Sequence, residues 1–183
     1  MSATPSQVVI CWGTPKQRRL TAVTNTTFLS GNGPQAAACA PPHSPGENAP
    51  MNRSADWLQQ ARADLALAGV SAGAGHHEWA CFACHQAVEK ALKGLHLKLG
   101  QQAWGHGLGR SWRELPPEAA ARLADTVADL EERLRILDAL YIPTRNPESF
   151  PDGTPADHFG RLQSADALHH ARSIVDAIGA ALA

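Results

Sequence analysis

Residues 77–99 read HEWACFACHQAVEKALKGLHLKL, and this stretch decides the fold. Apolar residues recur in it at steps of three and four, the spacing that places side chains on one face of an α-helix. The apolar stripe consists of Cys81, Cys84, Val88, Leu92, Leu95 and Leu99. We therefore predict an amphipathic helix from about His77 to Gly100, which needs neighbours to cover its apolar side.

Three further segments show the same period. A first helix begins at Ser54, its expected N-cap, and ends in the glycines of residues 69–75. A third is introduced by Pro117 and stopped by Pro143, with an apolar stripe that alternates steps of four and three. A fourth enters through a capping-box-like pattern at residues 154–157 and continues to the end of the chain. Four such helices close most simply as an all-α, up-and-down four-helix bundle.

Composition narrows the class of protein. The formal net charge is -1, so no overall positive field attracts nucleic acid, and any RNA contact must be local. We find no apolar run long enough to span a bilayer and no signal-peptide pattern. We therefore expect a cytoplasmic protein without membrane contact.

Residues 1–50 differ from the remainder of the chain. They contain seven prolines and show no sustained helical period, so they bury too little to offset the entropy of ordering. We predict either a disordered extension or a stretch upstream of a mis-assigned start, with Met51 as the initiator, and favour the second. The folded domain is predicted to occupy residues 51–183.

The four cysteines do not form a disulfide framework by their spacing. Residues 81–85 match C-x-x-C-H, the attachment pattern of c-type haem. However, Cys81 and Cys84 both lie on the apolar stripe, where cysteine packs as a small hydrophobic residue. No second pair of zinc ligands stands at a suitable spacing. We expect no haem, no metal and no other cofactor.

Motifs along the chain resemble a known family. Residues 79–93 contain W-x-C-F-x-x-x-Q-A-x-E-K-A-x-K, residues 106–108 contain H-x-L, and residues 141–147 read YIPTRNP. In this order and spacing they resemble the HEPN domain (higher eukaryotes and prokaryotes nucleotide-binding), in which the last element is Y-x-x-T-R-Y-P. Asn146 stands where tyrosine is usual. The resemblance covers residues 53–182.

The resemblance implies a helical bundle that commonly dimerises and is often encoded beside a minimal nucleotidyltransferase, in toxin–antitoxin or defence settings. We therefore expect a homodimer that binds a nucleotide, RNA or a nucleotidyltransferase partner. Some family members are metal-independent endoribonucleases, and others are non-catalytic binding modules. A purely structural bundle that binds a partner is a third alternative.

Four residues are candidates for a binding site. Lys90 and Lys93 lie on a polar stripe beside the apolar one, either as a solvated face or as phosphate ligands oriented by Glu89. Arg145 stands in a proline-bounded turn, where a guanidinium can bind a phosphate with two donors. It can equally form a structural ion pair, for example with Glu89, or cap the carbonyl groups at the end of the third helix. His106 lies in a glycine-rich connector, where its imidazole can serve as an acid, a base or a phosphate donor.

The spacing of arginine and histidine bears on catalysis. Ribonucleases of the family generally carry an arginine, four to six residues and then a histidine. Here twelve residues separate Arg145 from His158, and seven separate Arg161 from His169. This departure favours a non-catalytic module. In the alternative, a metal-independent endoribonuclease, Arg145 and His158 would be the catalytic pair and would converge across the turn-rich loop between them.

Overall fold

A computed structural model describes residues 52–183, so the predictions for residues 1–50 and for initiation at Met51 lie outside the described residues. Within this part of the chain all regular structure is helical, which confirms the predicted all-α class. A short 3-10 turn, Pro147–Ser149, precedes the last two α-helices. The seven α-helices are α1 (Ser54–Gly73), α2 (His77–Lys98), α3 (Leu108–Arg113), α4 (Pro117–Thr126), α5 (Leu130–Asp138), α6 (Pro155–His158) and α7 (Arg161–Leu182).

Helix α2 forms the centre of the bundle. Fourteen of its 22 residues are buried, because α1 and α7 both pack along it and α3, α5 and α6 contact it as well. Cys81 and Cys84 are fully buried in the core, as their place on the apolar stripe predicts. Burial raises the pKa of both thiols to about 12, so they stay protonated. None of the described helices is both long and apolar enough to cross a membrane.

Helices α1 and α2 approach each other closely at one glycine. A Cβ atom on Gly94 would lie 3.0 Å from the carbonyl oxygen of Ser54 and 3.3 Å from Cβ of Trp57.

Ser54 is the first residue of α1, and its backbone N–H donates to Oδ1 of Asn52 at 3.0 Å. The helix therefore starts where we predicted, but the expected N-cap role of Ser54 is wrong, since Arg53 occupies the N-cap position and its side chain makes no capping hydrogen bond.

The predicted third helix is two helices. Its apolar stripe is buried from Leu123 to Leu137, but α4 ends at Thr126 and α5 begins at Leu130. Asp129 has a φ of 55°, the left-handed conformation that aspartate tolerates better than most residues. This turn interrupts the helical hydrogen bonds without moving Val127 or Leu130 out of the core. The helix also ends earlier than predicted, at Asp138 rather than near Pro143.

The predicted fourth helix is likewise divided. The capping box at its entry is present, since the N–H and hydroxyl of Thr154 both donate to Asp157 Oδ2 at 2.8 Å. The helix that this box caps, α6, lasts only one turn. Extended backbone at Phe159 and Gly160 separates it from α7.

Helix α3 is one turn and a half that the apolar pattern does not predict. The carboxylate of Asp138, the last residue of α5, accepts hydrogen bonds from the N–H groups of Leu108 and Gly109 at 2.7 and 3.0 Å. These bonds satisfy two backbone donors at the start of α3. They also fix the end of the loop between α2 and α3, residues 99–107, which carries His106.

Candidate functional site

Helix α2, the 99–107 loop and the segment after α5 bring a group of polar and aromatic side chains together. We call this group the Tyr141 cluster, after the ring that joins its members. It consists of Phe82, His85, Glu89, Lys93, His106, Asp138, Tyr141 and Arg145. The cluster combines residues from all three sequence motifs of the family resemblance.

Glu89 is the acidic centre of the cluster and is only 7% exposed. Lys93 Nζ donates to its Oε1 at 2.7 Å, and Gln86 Nε2 donates to its Oε2 at 3.2 Å. His106 Nδ1 lies 3.0 Å from the same Oε2. Burial alone would raise the pKa of this carboxyl, but the hydrogen bonds from Lys93 and His106 outweigh it and bring the pKa below its ordinary value. Glu89 is therefore ionised at neutral pH.

The ionised Glu89 determines how the imidazole of His106 is used. A carboxylate only accepts hydrogen bonds, so the proton shared with Glu89 must sit on Nδ1 of His106. The ring also stacks on Tyr141, with centroids 4.9 Å apart and planes 19° from parallel. The side chain is 57% exposed. The hydrogen bond to Glu89 uses Nδ1 and so leaves Nε2 for another partner.

Arg145 lies on two aromatic rings. Its Cζ atom is 4.3 Å from the ring centroid of Tyr141 and 4.6 Å from that of Phe82. Its Nε donates to the carbonyl oxygen of Tyr141 at 3.0 Å. Within residues 52–183 no carboxylate forms an ion pair with it. The ion pair with Glu89 that we considered from the sequence is not formed, because Lys93 and His106 occupy that carboxylate.

His85, like Phe82, Asp138 and Tyr141, is a member of the cluster that was not predicted as a site residue from the sequence. The imidazole of His85 is fully buried. Its Nδ1 lies 3.9 Å from Glu89, and its Nε2, 3.6 Å from Asp138, has no hydrogen-bond partner among residues 52–183. Burial lowers the pKa of His85, although the charges of Glu89 and Asp138 partly oppose this effect. The imidazole is therefore neutral at neutral pH. Its spacing of four residues from Glu89 on one helix was the available signal.

The remaining candidates lie elsewhere. Lys90 pairs with Asp64 of α1 and contacts none of the groups around Glu89. His158 stacks on Phe150, with centroids 3.9 Å apart, and its Nε2 donates to the carbonyl oxygen of Asp152 at 2.7 Å. The structure thus gives Arg145 and His106 a common neighbour, Tyr141, and places the side-chain contacts of His158 within the loop at residues 150–158.

The donor set of the cluster suits phosphate better than a metal ion. In the described part of the chain, no three histidine, cysteine, aspartate or glutamate side chains are placed to hold a metal ion. The cluster instead offers the N–H groups of a guanidinium, an ammonium group and an oriented imidazole, which are donors that phosphate oxygens accept.

The comparisons with known proteins agree with the motifs. The family model described as the HEPN domain matches residues 54–180, a span that contains the whole Tyr141 cluster. The chain is similar to the crystal structure of TT1696 from Thermus thermophilus, with 45% identity over 71% of this chain and 98% of the other, and a TM-score of 0.66. It is also similar to ST0689, an archaeal HEPN homologue, with 28% identity over 73% of this chain and 100% of the other, and a TM-score of 0.59. A comparison with curated proteins finds no match.

Proposed function

Because the chain belongs to the HEPN domain family, we propose that it is a non-catalytic binding module. It binds the phosphate of a nucleotide or of an RNA strand at the Tyr141 cluster. The observation that carries the proposal is the setting of Arg145. Its face is used by the rings of Phe82 and Tyr141 and its Nε by the carbonyl oxygen of Tyr141, which leaves the two terminal NH2 groups of the guanidinium for a ligand. These donors match two oxygens of a phosphate.

Two further groups support a phosphate ligand. Lys93 carries a positive charge beside Glu89, and Nε2 of His106 faces away from its hydrogen bond with that carboxylate. Glu89 balances the charge of Lys93, so Arg145 supplies the local positive charge that the acidic chain lacks overall. The site is consequently weak and local, which suits a single phosphate better than a long duplex.

The test is binding to a short single-stranded RNA, measured by fluorescence anisotropy at low salt. Arg145→Ala removes a charge-assisted contact that contributes about 1.5–3 kcal/mol, so affinity should fall about tenfold or more. Arg122→Ala is the matched control, since Arg122 is an exposed arginine on α4 outside the cluster and is likewise without an ion pair in the described part of the chain. Equal affinity of the Arg145 variant and the parent, with unchanged helical content, would refute the site.

The family also suggests partners for such a module. We propose that the chain acts as a homodimer, alone or beside a minimal nucleotidyltransferase in a toxin–antitoxin or defence system. Exposed apolar side chains on α1 and α7, among them Leu67, Val70 and Leu162, supply surface for protein contacts. Sedimentation of the purified chain, with and without a co-expressed nucleotidyltransferase, tests this part. A monomer that captures no such enzyme contradicts it.

One arrangement favours a second candidate, RNA cleavage. His106 and Arg145 contact the same ring, and Glu89 orients His106 as carboxylates orient catalytic imidazoles. Nε2 of His106 would take the proton of a 2′-hydroxyl, whose oxygen attacks the adjacent phosphorus. A 2′,3′-cyclic phosphate forms, the bond to the 5′-oxygen breaks, and the proton passes to that oxygen. Arg145 would stabilise the charged phosphorane.

This candidate assigns the base to His106 instead of His158, because the Nε2 of His158 is engaged by Asp152. Incubation with RNA in the presence of a chelator tests it. Cleavage that disappears in His106→Ala and in Arg145→Ala, but persists in His158→Ala, supports catalysis by the cluster. Cleavage that persists in all three variants, or that is absent from the parent, excludes it.

A further inference from the structure

A cavity of about 280 Å³ lies beside the Tyr141 cluster. It is formed where α1, α2 and the 99–107 loop meet. Most of its lining is aromatic or aliphatic, with the ammonium group of one lysine and the amide of one glutamine as polar exceptions. The lining side chains that matter here are Trp57, Lys93, Leu97, Gln102 and Trp104.

Lys93 joins this cavity to the cluster. Its Nζ donates to Glu89 at 2.7 Å and lies 5.7 Å from the ring centroid of Trp57. The 99–107 loop provides a second connection, since Trp104 lines the cavity and His106, two residues later, belongs to the cluster. A phosphate held by Lys93 and His106, at the Glu89 end of the cluster, therefore adjoins the cavity.

Trp104 is unusually exposed for a tryptophan. Its indole is 79% exposed, although tryptophan is a residue that proteins bury to a large degree. Exposed aromatic rings next to cationic side chains are the usual platforms for nucleobases, since every base has a face that stacks on them. A cavity of this size is small for a drug-sized ligand, but it has room for one planar heterocycle.

We propose that this cavity is a base subsite, which takes the heterocycle of a nucleotide by stacking on Trp104 and Trp57. The inference rests on the proposed function, because it places the phosphate of the same nucleotide at the Tyr141 cluster. Gln102 is the only lining side chain with amide donors and acceptors, so recognition depends mainly on stacking area. The subsite should therefore accept any base and prefer purines to pyrimidines.

The experiment compares adenosine 5′-monophosphate with ribose 5-phosphate, which lacks the base, by calorimetric titration of the full chain. Stacking on one indole predicts about tenfold tighter binding of the nucleotide. Trp104→Ala should remove most of this preference and leave the affinity for ribose 5-phosphate unchanged. Trp104→Phe, which retains an aromatic ring, should restore a large part of it.

Trp79→Ala is the matched control, because Trp79 is also an exposed tryptophan but does not line the cavity. Its ratio of the two affinities should equal that of the parent. Equal binding of both ligands by the parent, or an equal loss of both in Trp104→Ala, overturns the base subsite while the phosphate site stands. If neither ligand binds and the RNA assay is also negative, the proposed function fails together with the subsite.

Discussion

Replacing two helical glycines by alanine should change the free energy of unfolding by different amounts. Gly69 lies inside α1, and a Cβ atom there would meet no atom of residues 52–183 within 4 Å beyond its chain neighbours and the backbone of its own helix. Gly94 lies inside α2 and faces α1, where a Cβ atom would meet the backbone oxygen of Ser54 at 3.0 Å. Both positions gain the same helix propensity, so the pair isolates the cost of crowding between the two helices.

The magnitude follows from these two terms. Alanine is favoured over glycine in a helix interior by about 1 kcal/mol, so Gly69→Ala should raise the free energy of unfolding by about that amount. At Gly94 the same gain is opposed by overpacking, which costs about 1–3 kcal/mol in well-packed interiors. The opposing atom belongs to the backbone of α1, so the helix itself must shift by a few tenths of an ångström. We expect Gly94→Ala to be less stable than Gly69→Ala by about 1–3 kcal/mol.

Urea unfolding followed by circular dichroism measures both variants. A change in midpoint at constant slope reports stability alone. The added Cβ atom would also lie 3.3 Å from Cβ of Trp57, which lines the adjoining cavity. Gly94→Ala should therefore also weaken the proposed stacking of a base there. A Gly94 variant that is as stable as the Gly69 variant would show that α1 yields freely, which would refute the close-packing argument.

Three other outcomes are expected. Cys81 and Cys84 should resist alkylation at pH 8 until denaturant is added, because burial raises their pKa to about 12; rapid labelling of the folded protein, read by peptide mass, would contradict this. The pKa of His85 is lowered in the folded protein, so its contribution to stability is present above the ordinary value near 6.5. The contribution is lost as the pH falls through the folded pKa, and the free energy of unfolding then falls by at most about 1.4 kcal/mol per pH unit. In His85→Leu, urea midpoints between pH 7 and 5 should fall less steeply than in the parent, and identical slopes would exclude His85 as the source. Asp138→Ala should lower the free energy of unfolding by about 2 kcal/mol and speed hydrogen exchange at the amides of Leu108 and Gly109, because both lose their acceptor. Unchanged exchange would show that α3 does not depend on the Asp138 carboxylate.

The long helices with a single apolar stripe were predictable from the sequence. The start of α2 at His77 matches the prediction, because burial of its apolar side determines where a helix of this kind can lie. The break at Asp129 was not predictable from this pattern. Val127 and Leu130 are both buried and keep the apolar spacing across the break, so periodicity does not distinguish a continuous helix from two helices joined by a tight turn.

Three cationic or imidazole members of the candidate site were predictable from the sequence, but their partners were not. Arg145, Lys93 and His106 were identified from motifs and loop position, and each contacts the Tyr141 cluster. The partner of each depends on tertiary packing between residues far apart in the chain. Lys90 and Lys93 are an example. They lie three residues apart on α2, but Lys90 pairs with Asp64 on α1 and Lys93 pairs with Glu89 on α2.

The ring that joins the cluster belongs to the only tyrosine in the chain. A fluorine atom placed on tyrosine rings by biosynthetic labelling would therefore give one resonance, and that resonance would come from the centre of the cluster. It would respond to protonation of His85 and His106 and to movement of the Arg145 guanidinium, since all three lie against the ring. Because the chain has a single tyrosine, the fluorine resonance is assigned without further work and can report ligand binding at the cluster.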